Sequence, residues 1–280
     1  MKDVKVDLKQ LISKNKTEIA IQKLNKLPIK DKDLFNDIVR ISARYNSYLT
    51  DLTRGVLDKQ TANTENANII HLLLTMIDSL PDNLTELIKD QVEIALKRYF
   101  EIRDETQNSD EYIEIFETLN AYKDNDFFTA NQQEILAYLY REGMGTKKNI
   151  EMAFELYEKS AKRNWGWGQF GLAEMYFDNG DYKSCMYWCR KALENDVGWA
   201  FQKIGDMYRD GKGVEVNSNK AMEYYLKSAY RGVDWGYACL GDLFYTGTQT
   251  IERDKYLAKI MYEKAPKNKH AKERLANFVD

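Results

Sequence analysis

Two cysteines have the spacing that most directly suggests chemistry. Cys185 and Cys189 lie four positions apart, so on a helix both thiols would share one face and could provide two ligands for a metal ion. A zinc site needs two further ligands. The two histidines, His71 and His270, lie in different regions, and the third cysteine, Cys239, belongs to another segment. The favoured interpretation is therefore that the thiols are buried in helix packing, without a metal.

Glycine-containing turns are the second candidate for chemistry. Gly143 and Gly211 each begin a Gly-x-Gly sequence, and Gly247 stands alone at a comparable place. A phosphate-binding loop would follow a strand and carry Gly-Lys and a hydroxyl residue at fixed spacing, and the sequence has neither feature. No Ser or Cys nucleophile phrase lies near a histidine. The sequence therefore predicts a chain that is not an enzyme, with no catalytic residue, no metal and no cofactor.

Carboxylates recur at a fixed place in the second half of the chain. Glu174, Asp206 and Asp242 each directly follow a small residue, and Asp178 and Asp210 lie four positions after the first two. Because positions i and i+4 share a helix face, stacked helices would align these groups into an acidic stripe. The stripe is either a solvated face or a groove for a basic segment of a partner protein, in which charge would set specificity and on-rate.

Three tryptophans recur in register with these carboxylates, six residues before the same small residue. Such residues more often wedge between successive repeats. Alternatively they form a row of exposed aromatic side chains that grips a peptide, since Trp is a favoured hot-spot residue. The candidate partner-binding residues are therefore Glu174, Asp178, Asp206, Asp210, Asp242, Trp167, Trp199 and Trp235.

The elements that must position these residues are helices, because the second half of the chain repeats itself. Small residues recur in register at spacings of 36, 32 and 36 residues, and an aromatic residue follows each one three positions later. A second phrase after each turn has helical spacing, as with Ala221, Tyr225 and Ala229. Each unit is therefore predicted to be two helices joined by a turn. The registered pairs are Ala137 and Tyr140, Ala173 and Tyr176, Gly205 and Tyr208, and Gly241 and Phe244.

This pattern resembles the Sel-1-like repeat, a relative of the tetratricopeptide repeat. The resemblance covers about residues 131–266, although the second unit lacks the long glycine loop and the fourth unit is degenerate. It implies a right-handed α-solenoid that binds other proteins and performs no chemistry. The third unit matches best, at Ala200, Ile204, Gly205, Tyr208, Gly211, Gly213, Val214, Ala221, Tyr225, Lys227 and Ala229.

The first 80 residues contain no copy of this repeat and predict a small helical bundle. Apolar spacing indicates four helices, at about 5–14, 17–27, 31–53 and 62–79. Thr17 is the expected N-cap of the second helix. Pro81 is expected to terminate the fourth.

These phrases resemble the eleventh type of effector-associated domain of bacterial conflict systems, a death-like helical bundle. The resemblance covers about residues 4–80 and implies that the module recruits a partner with a like module, such as a STAND-type NTPase or an effector enzyme. The chain departs from the family pattern in the link after the second helix and at Val56 and Leu57. The matching positions are Leu8, Leu11, Ile12, Ala20, Leu24, Arg44, Tyr45, Asn46, Gly55, Asn66, Ile69, Leu73 and Leu74.

Two further helices are expected between the halves. Asn83 and Glu86 have the spacing of an N-cap and its N3 partner before the first, and the second should cover about 109–123. We expect both to cap the first repeat. The predicted organisation is an N-terminal module at 1–81, connecting helices at 82–130 and a repeat solenoid at 131–280.

Composition limits the classes of function. The 280 residues carry a formal net charge of −3, whereas nucleic-acid binders normally present a basic surface. No segment approaches the roughly 20 apolar residues that span a bilayer, and the start lacks a signal peptide. We therefore expect a cytoplasmic all-α protein with protein partners and no contact with nucleic acid or membrane.

The leading hypothesis is an adaptor that links a sensor to an effector in a bacterial antiviral defence system. The alternative is a general repeat scaffold, or a chaperone-like peptide-binding protein, without a defence role. An enzyme with an unfamiliar site in the N-terminal bundle is disfavoured, because the sequence shows no cluster of titratable groups there.

Overall fold

The computed structural model describes residues 4–14, 16–27, 29, 32–54, 56–81, 83–102 and 110–278, with the backbone alone at 32, 33, 35, 59 and 85. Over these residues it contains fifteen α-helices and no strand. The chain divides into two compact units, Met1–Phe128 and Thr129–Asp280. The predicted fold class, a helical bundle followed by an α-solenoid, is confirmed.

The first unit contains the four predicted bundle helices and the two predicted connecting helices. α1 packs on α2 and α4, α3 packs on α4, and α5 packs on α6. The bounds are α1 Val4–Ser13, α2 Thr17–Leu24, α3 Lys32–Thr53, α4 Lys59–Ser79, α5 Leu84–Ile102 and α6 Asp110–Tyr122. Most of the apolar positions that carried the resemblance in the bundle are buried, namely Leu8, Ile12, Ala20, Leu24, Ile69 and Leu73, whereas Gly55 lies outside the described residues.

Three details at the ends of helices differ from the sequence prediction. Thr17 is not the N-cap of α2: it is the first helical residue and is buried, and Lys16 precedes it without a side-chain cap. The same helix ends at Leu24 rather than at 27, with Asn25 as its C-cap. α4 begins earlier than predicted, since the Asp58 side chain accepts hydrogen bonds from two amides of its first turn.

α6 is tied to the start of its own unit by a long-range hydrogen bond. The Tyr122 hydroxyl donates to the carbonyl oxygen of Lys26 at 2.7 Å. The predicted division at 81/82, and the predicted packing of these connecting helices on the first repeat, stay predictions.

The second unit consists of four helix pairs and one further helix. Repeats one to four each contain a first and a second helix, and α15 (Lys269–Ala276) packs on α13 and α14. The first helices are α7 Ala130–Glu142, α9 Gly166–Asp178, α11 Trp199–Asp210 and α13 Asp234–Thr246, and the second helices are α8 Ile150–Lys162, α10 Tyr182–Glu194, α12 Ser218–Tyr230 and α14 Lys255–Glu263.

One hydrogen bond closes every repeat in the same way. The backbone N–H of the residue that caps the second helix donates to the carbonyl of the registered aromatic residue on the first helix, at 2.8–2.9 Å. The capping side chain accepts a hydrogen bond from the N3 amide in all four cases. The donor and acceptor pairs are Asn149 and Tyr140, Asp181 and Tyr176, Asn217 and Tyr208, and Asp254 and Phe244.

Buried tyrosines of the second helices rest directly on glycines. A Cβ atom on Gly205 would lie 2.5 Å from Tyr225 Cε1, and a Cβ atom on Gly241 would lie 2.5 Å from Tyr262 Cε1. Both rings are fully buried. Because any larger residue would overlap the ring, glycine is what allows these two helices to approach so closely.

Repeats one and two follow the same steric rule with different residues. Tyr157 of α8 rests on Gly171 of the next first helix, where an added Cβ would lie 2.2 Å from its Cε1. In repeat two the tyrosine is replaced by Cys189, and the registered small residue in the same buried cluster is Ala173. A smaller side chain on the second helix thus accompanies a larger one on the first.

We predict that Gly205→Ala destabilises the second unit by about 1–3 kcal/mol because the new methyl group overlaps the Tyr225 ring. This should hold although alanine is the better helix former. Urea unfolding followed by tryptophan fluorescence is the measurement, since all five tryptophans lie in this unit.

The control is the same change in a Tyr225→Cys background, which imitates the Ala173 and Cys189 arrangement of repeat two. There Gly205→Ala should be neutral or stabilising by up to about 1 kcal/mol. An equal loss in both backgrounds would show that the ring contact is not the reason for the glycine.

Candidate functional site

The cysteine pair is part of the interior of repeat two. The Sγ atoms of Cys185 and Cys189 lie 4.0 Å apart, and Cys185 Sγ lies 3.8 Å from Met207 Sδ. Both thiols are fully buried. The hydrogen bond with Cys185, together with burial, raises the pKa of the Cys189 thiol. Among the described residues, no group of three or more His, Cys, Asp or Glu side chains could hold a metal ion.

The eight candidate partner-binding residues occupy one face of the first helices. Trp167, Glu174 and Asp178 follow one another at i, i+7 and i+11 along α9, which places them on a single face of that helix. α11 repeats the arrangement with Trp199, Asp206 and Asp210, and α13 repeats part of it with Trp235 and Asp242. We call this set the first-helix stripe. Each tryptophan lies at the start of its helix.

The three tryptophans differ in exposure. Trp167 is 44% exposed and Trp199 is 39% exposed, which is unusual for so large an apolar side chain. Trp235 is half-buried, and its ring centroid lies 5.8 Å from that of His270 on α15. The first two are therefore accessible on the solenoid, whereas α15 lies against the third.

The carboxylates of repeat two are paired with cations of neighbouring repeats. Arg141 of repeat one lies 2.7 Å from Glu174 and 3.1 Å from Asp178, and Lys203 of repeat three lies 3.1 Å from Glu174. Burial alone would raise the pKa of Glu174, but attraction to Lys203 and Arg141 holds it below its ordinary value. Glu174 therefore joins three successive first helices.

The carboxylates of repeats three and four accept hydrogen bonds from the buried tyrosines. The Tyr225 hydroxyl donates to Asp206 at 2.7 Å, and the Tyr262 hydroxyl donates to Asp242 at 2.7 Å. Asp206 also accepts a hydrogen bond from the Gln202 amide. Burial raises the pKa of Asp206 even though the tyrosine hydrogen bond acts in the opposite direction.

Basic side chains also lie beside the carboxylates of repeats three and four. Arg209 lies 3.3 Å from Asp206 and 2.7 Å from Asp210, while Asp242 lies 2.8 Å from His270 Nε2 and 3.3 Å from Arg274. The carboxylates of the first-helix stripe are thus paired with basic side chains around them, so this surface is not uniformly acidic. Sequence reasoning missed these basic side chains. Among them, only Lys203 and Arg209 have a local signal, because they lie three positions before and after Asp206.

The first unit presents a groove of its own between α3 and α4. It has a volume of about 400 Å³. Leu72 is 38% exposed at its edge, while Ile41 and Met76 are buried residues of its lining. The charged residues of the lining are Asp37, Arg40 and Arg44, and Arg44 forms a bidentate ion pair with Glu65 at 2.6 and 2.9 Å. We call it the α3–α4 groove.

No helix in the described part of the chain is long and apolar enough to cross a bilayer. The fold and the repeated surface define the class of this protein, an α-solenoid of stacked helix pairs with a separate helical bundle.

Comparison with protein families assigns both units. The effector-associated domain 11 family matches residues 4–81, and Sel1 repeats match residues 133–165, 168–197, 202–233 and 238–268. The chain is a Sel1 repeat protein that also carries an effector-associated domain 11. Both resemblances seen in the sequence are confirmed.

Individual relatives share the repeats. A sel1-like repeat-containing protein of Acanthamoeba polyphaga mimivirus is 25% identical over 115 residues, which are 41% of this chain and 21% of that protein. The Sel1 repeat protein from Oxalobacter formigenes has a TM-score of 0.51 and 23% identity, over 67% of this chain and 73% of that one. The antigen c5321 of uropathogenic Escherichia coli, which displays an SLR fold, has a TM-score of 0.52 and 19% identity, over 96% of this chain and 50% of that one. The two solved structures show the fold alone.

We predict that Tyr225→Phe destabilises the second unit by about 1–2 kcal/mol at pH 7, because Asp206 loses a hydrogen bond to its charged form. That hydrogen bond matters less once Asp206 is protonated. The difference from wild type should therefore shrink as pH falls through the pKa of Asp206, and urea unfolding at several pH values measures it.

The matched control is Tyr224→Phe, which keeps the ring that stacks on Tyr208. Its effect should stay within about 0.5 kcal/mol at every pH. A Tyr225→Phe effect that does not depend on pH would contradict the assigned role of the hydroxyl.

Proposed function

We propose that this protein is a non-catalytic adaptor that binds different proteins through its two units. The effector-associated domain at 4–81 recruits a protein with a like module, and the Sel1 repeats hold a second protein. The pair would connect a sensor to an effector in a bacterial conflict system. The cytoplasmic location expected from the sequence belongs to the same proposal.

The observation that carries this proposal is the combination of two interaction families in two separately packed units. Sel1 repeats generally mediate protein–protein interaction. Effector-associated domain 11 is a different family, and it matches a segment that lies wholly within the first unit. Two such units in one chain suit a protein that connects two partners, since each unit offers its own binding surface.

The α3–α4 groove is the surface that we assign to recruitment by the first unit. Helical modules commonly recognise one another by laying an apolar helix face into a groove between two helices. Here Leu72, Ile41 and Met76 provide the apolar surface, and Asp37 and Arg40 provide charges of both signs at its margin. Those charges would fix the orientation of the partner more than the affinity.

The first-helix stripe is the surface that we assign to the solenoid. Trp167 and Trp199 are the anchors, because exposed tryptophans contribute strongly to binding when a partner buries them. The carboxylates between them act as a charge pattern. A basic partner segment would contact them beside the cations that already pair with them, so ionic strength should affect binding.

For the first unit we predict that Leu72→Asp in the full chain abolishes co-purification of a protein that carries a like effector-associated domain. A charge in the apolar groove must be desolvated without a partner when the complex forms. The control Ile94→Asp changes an exposed residue of α5 and should leave recovery unchanged. Recovery of such a protein in equal amount by Leu72→Asp would contradict the assignment of the groove.

For the solenoid we predict that Trp167→Ala with Trp199→Ala weakens the second partner at least tenfold while recruitment by the first unit persists. A tenfold loss corresponds to about 1.4 kcal/mol. Tyr230→Ala, at an exposed residue of α12, is the control. The contribution of the charges to binding is tested by isothermal titration calorimetry of Asp178→Lys in a salt series. Asp178 suits this test because it is 61% exposed and, unlike Asp206, is not held by a tyrosine.

The two experiments also separate this proposal from the alternative of a general scaffold. A scaffold would lose all its partners with the tryptophan substitutions and none with Leu72→Asp. Saturable turnover of a small molecule by the purified full chain would contradict the non-catalytic assignment.

A further inference from the structure

The turn between the two helices of repeat two is shorter than the others. Between the registered aromatic residue and the cap of the second helix, the chain uses residues 140–149, 208–217 and 244–254 in repeats one, three and four, but only 176–181 in repeat two. The same backbone hydrogen bond closes all four turns. Repeat two therefore lacks a loop segment although its helices are joined in the same manner.

In repeat three this loop segment covers the start of the preceding second helix. A Cβ atom on Gly213 would lie 2.5 Å from Tyr182 Cβ, so the loop backbone touches the first residue of α10. Val214 packs against the same buried cluster as Tyr182 and Met186. The loop of one repeat thus supplies an aliphatic side chain to the surface of the repeat before it.

Repeat four does the same to α12. Ile251 is buried in the cluster against which Met222 packs. The residue before it, Thr250, donates a hydrogen bond from its hydroxyl to Asn219 Oδ1 at 3.2 Å. The two loops therefore share a geometry in which an aliphatic residue enters a cluster and the preceding residue meets the first turn of the helix.

The corresponding place on α8 is open. A groove of about 700 Å³ lies there, and Ile150, Phe154 and the buried Met175 provide its apolar surface. Ile150 and Phe154 occupy the positions of Tyr182 and Met186 on α10, counted from the caps of the two helices, Asn149 and Asp181. Ile150 is 54% exposed, and the Phe154 ring is held edge-to-face on Tyr176 at 5.4 Å. Because the loop of repeat two is missing, nothing in the described chain fills this position.

The charges of the groove select its occupant. Its lining contains the carboxylates of Glu151, Glu155 and Asp178 and one guanidinium, Arg141, which already pairs with Asp178. Glu151 occupies on α8 the position that Asn219 occupies on α12. In repeat four the Thr250 hydroxyl hydrogen-bonds to Asn219 at this position. A residue that precedes the aliphatic one would therefore face Glu151, and a Lys or Arg side chain complements that carboxylate.

We propose that this groove, the α8–α9 groove, binds an extended segment of a partner protein in which Lys or Arg directly precedes Val or Ile. The segment takes the place of the missing loop: its aliphatic side chain packs between Ile150 and Phe154, and its basic side chain pairs with Glu151. The groove adjoins the first-helix stripe, since Asp178 belongs to both and pairs with Arg141 of the groove. The inference rests on the proposed role of the solenoid in protein binding and not on the first unit.

A labelled peptide tests this with the full chain. The probe copies residues 248–254 with the change Thr250→Lys, and fluorescence anisotropy measures its binding. Wild type should bind it saturably, and Ile150→Ser and Glu151→Lys should each weaken binding at least tenfold. The same peptide with Ile251→Asp should not bind. The control variant Tyr256→Ser changes an exposed residue of α14 and should bind like wild type.

A loop graft provides a second, independent measurement. Replacing Asn179 and Gly180 by the sequence of residues 211–216 gives repeat two the same turn length as repeat three. The grafted loop should fill the groove from within the chain, so it should abolish peptide binding and raise the melting temperature.

Equal affinity of wild type, Ile150→Ser and the loop graft, or the absence of saturable binding, would overturn the proposal. Self-association in sedimentation velocity that Ile150→Ser abolishes would identify a second copy as the occupant and would overturn it too. Recruitment through the α3–α4 groove is measured separately with Leu72→Asp. A failure here therefore remains distinguishable from a failure of the adaptor function.

Discussion

The contact between a buried tyrosine ring and a glycine on the neighbouring helix is the constraint on which the repeats depend. It sets how closely the two helices approach in repeats three and four, and how closely α8 approaches α9, because the ring occupies the space of the missing side chain. It also connects the interior to the surface. Asp206 directly follows Gly205, and the ring that rests on the glycine carries the hydroxyl that binds this carboxylate. A change inside the repeat would therefore alter the charge pattern outside it.

The carboxylates of the first-helix stripe consequently have a structural role before they meet any partner. Glu174 joins three first helices through Arg141 and Lys203, and Asp242 joins α13 to α15. Ion pairs that are partly exposed contribute modestly to stability. Their larger effect is to fix where each charge lies, which favours specificity over affinity when a partner binds. The exposed tryptophans supply the apolar area that such a charge pattern lacks.

A solenoid buries its apolar surface by contact between neighbouring repeats, so a deletion in one repeat exposes a surface on another. The short turn of repeat two illustrates this. This turn keeps the same closing hydrogen bond as the longer ones but leaves α8 of repeat one uncovered. Variation in loop length is therefore a way to create a binding groove without changing the helices that build it.

The sequence by itself determined the helices, the repeat register and the family of each unit, because these follow from local apolar spacing, caps and glycines. Its errors were also local, as at Thr17, which is the buried first residue of α2 and not its N-cap. Only the tertiary structure decided that Arg141 meets Glu174, that α15 lies against Trp235 while Trp167 stays exposed, and that Ile150 lines a groove. These contacts join residues about 30 or more positions apart, and their geometry depends on how successive helix pairs stack, which periodicity along one helix does not encode.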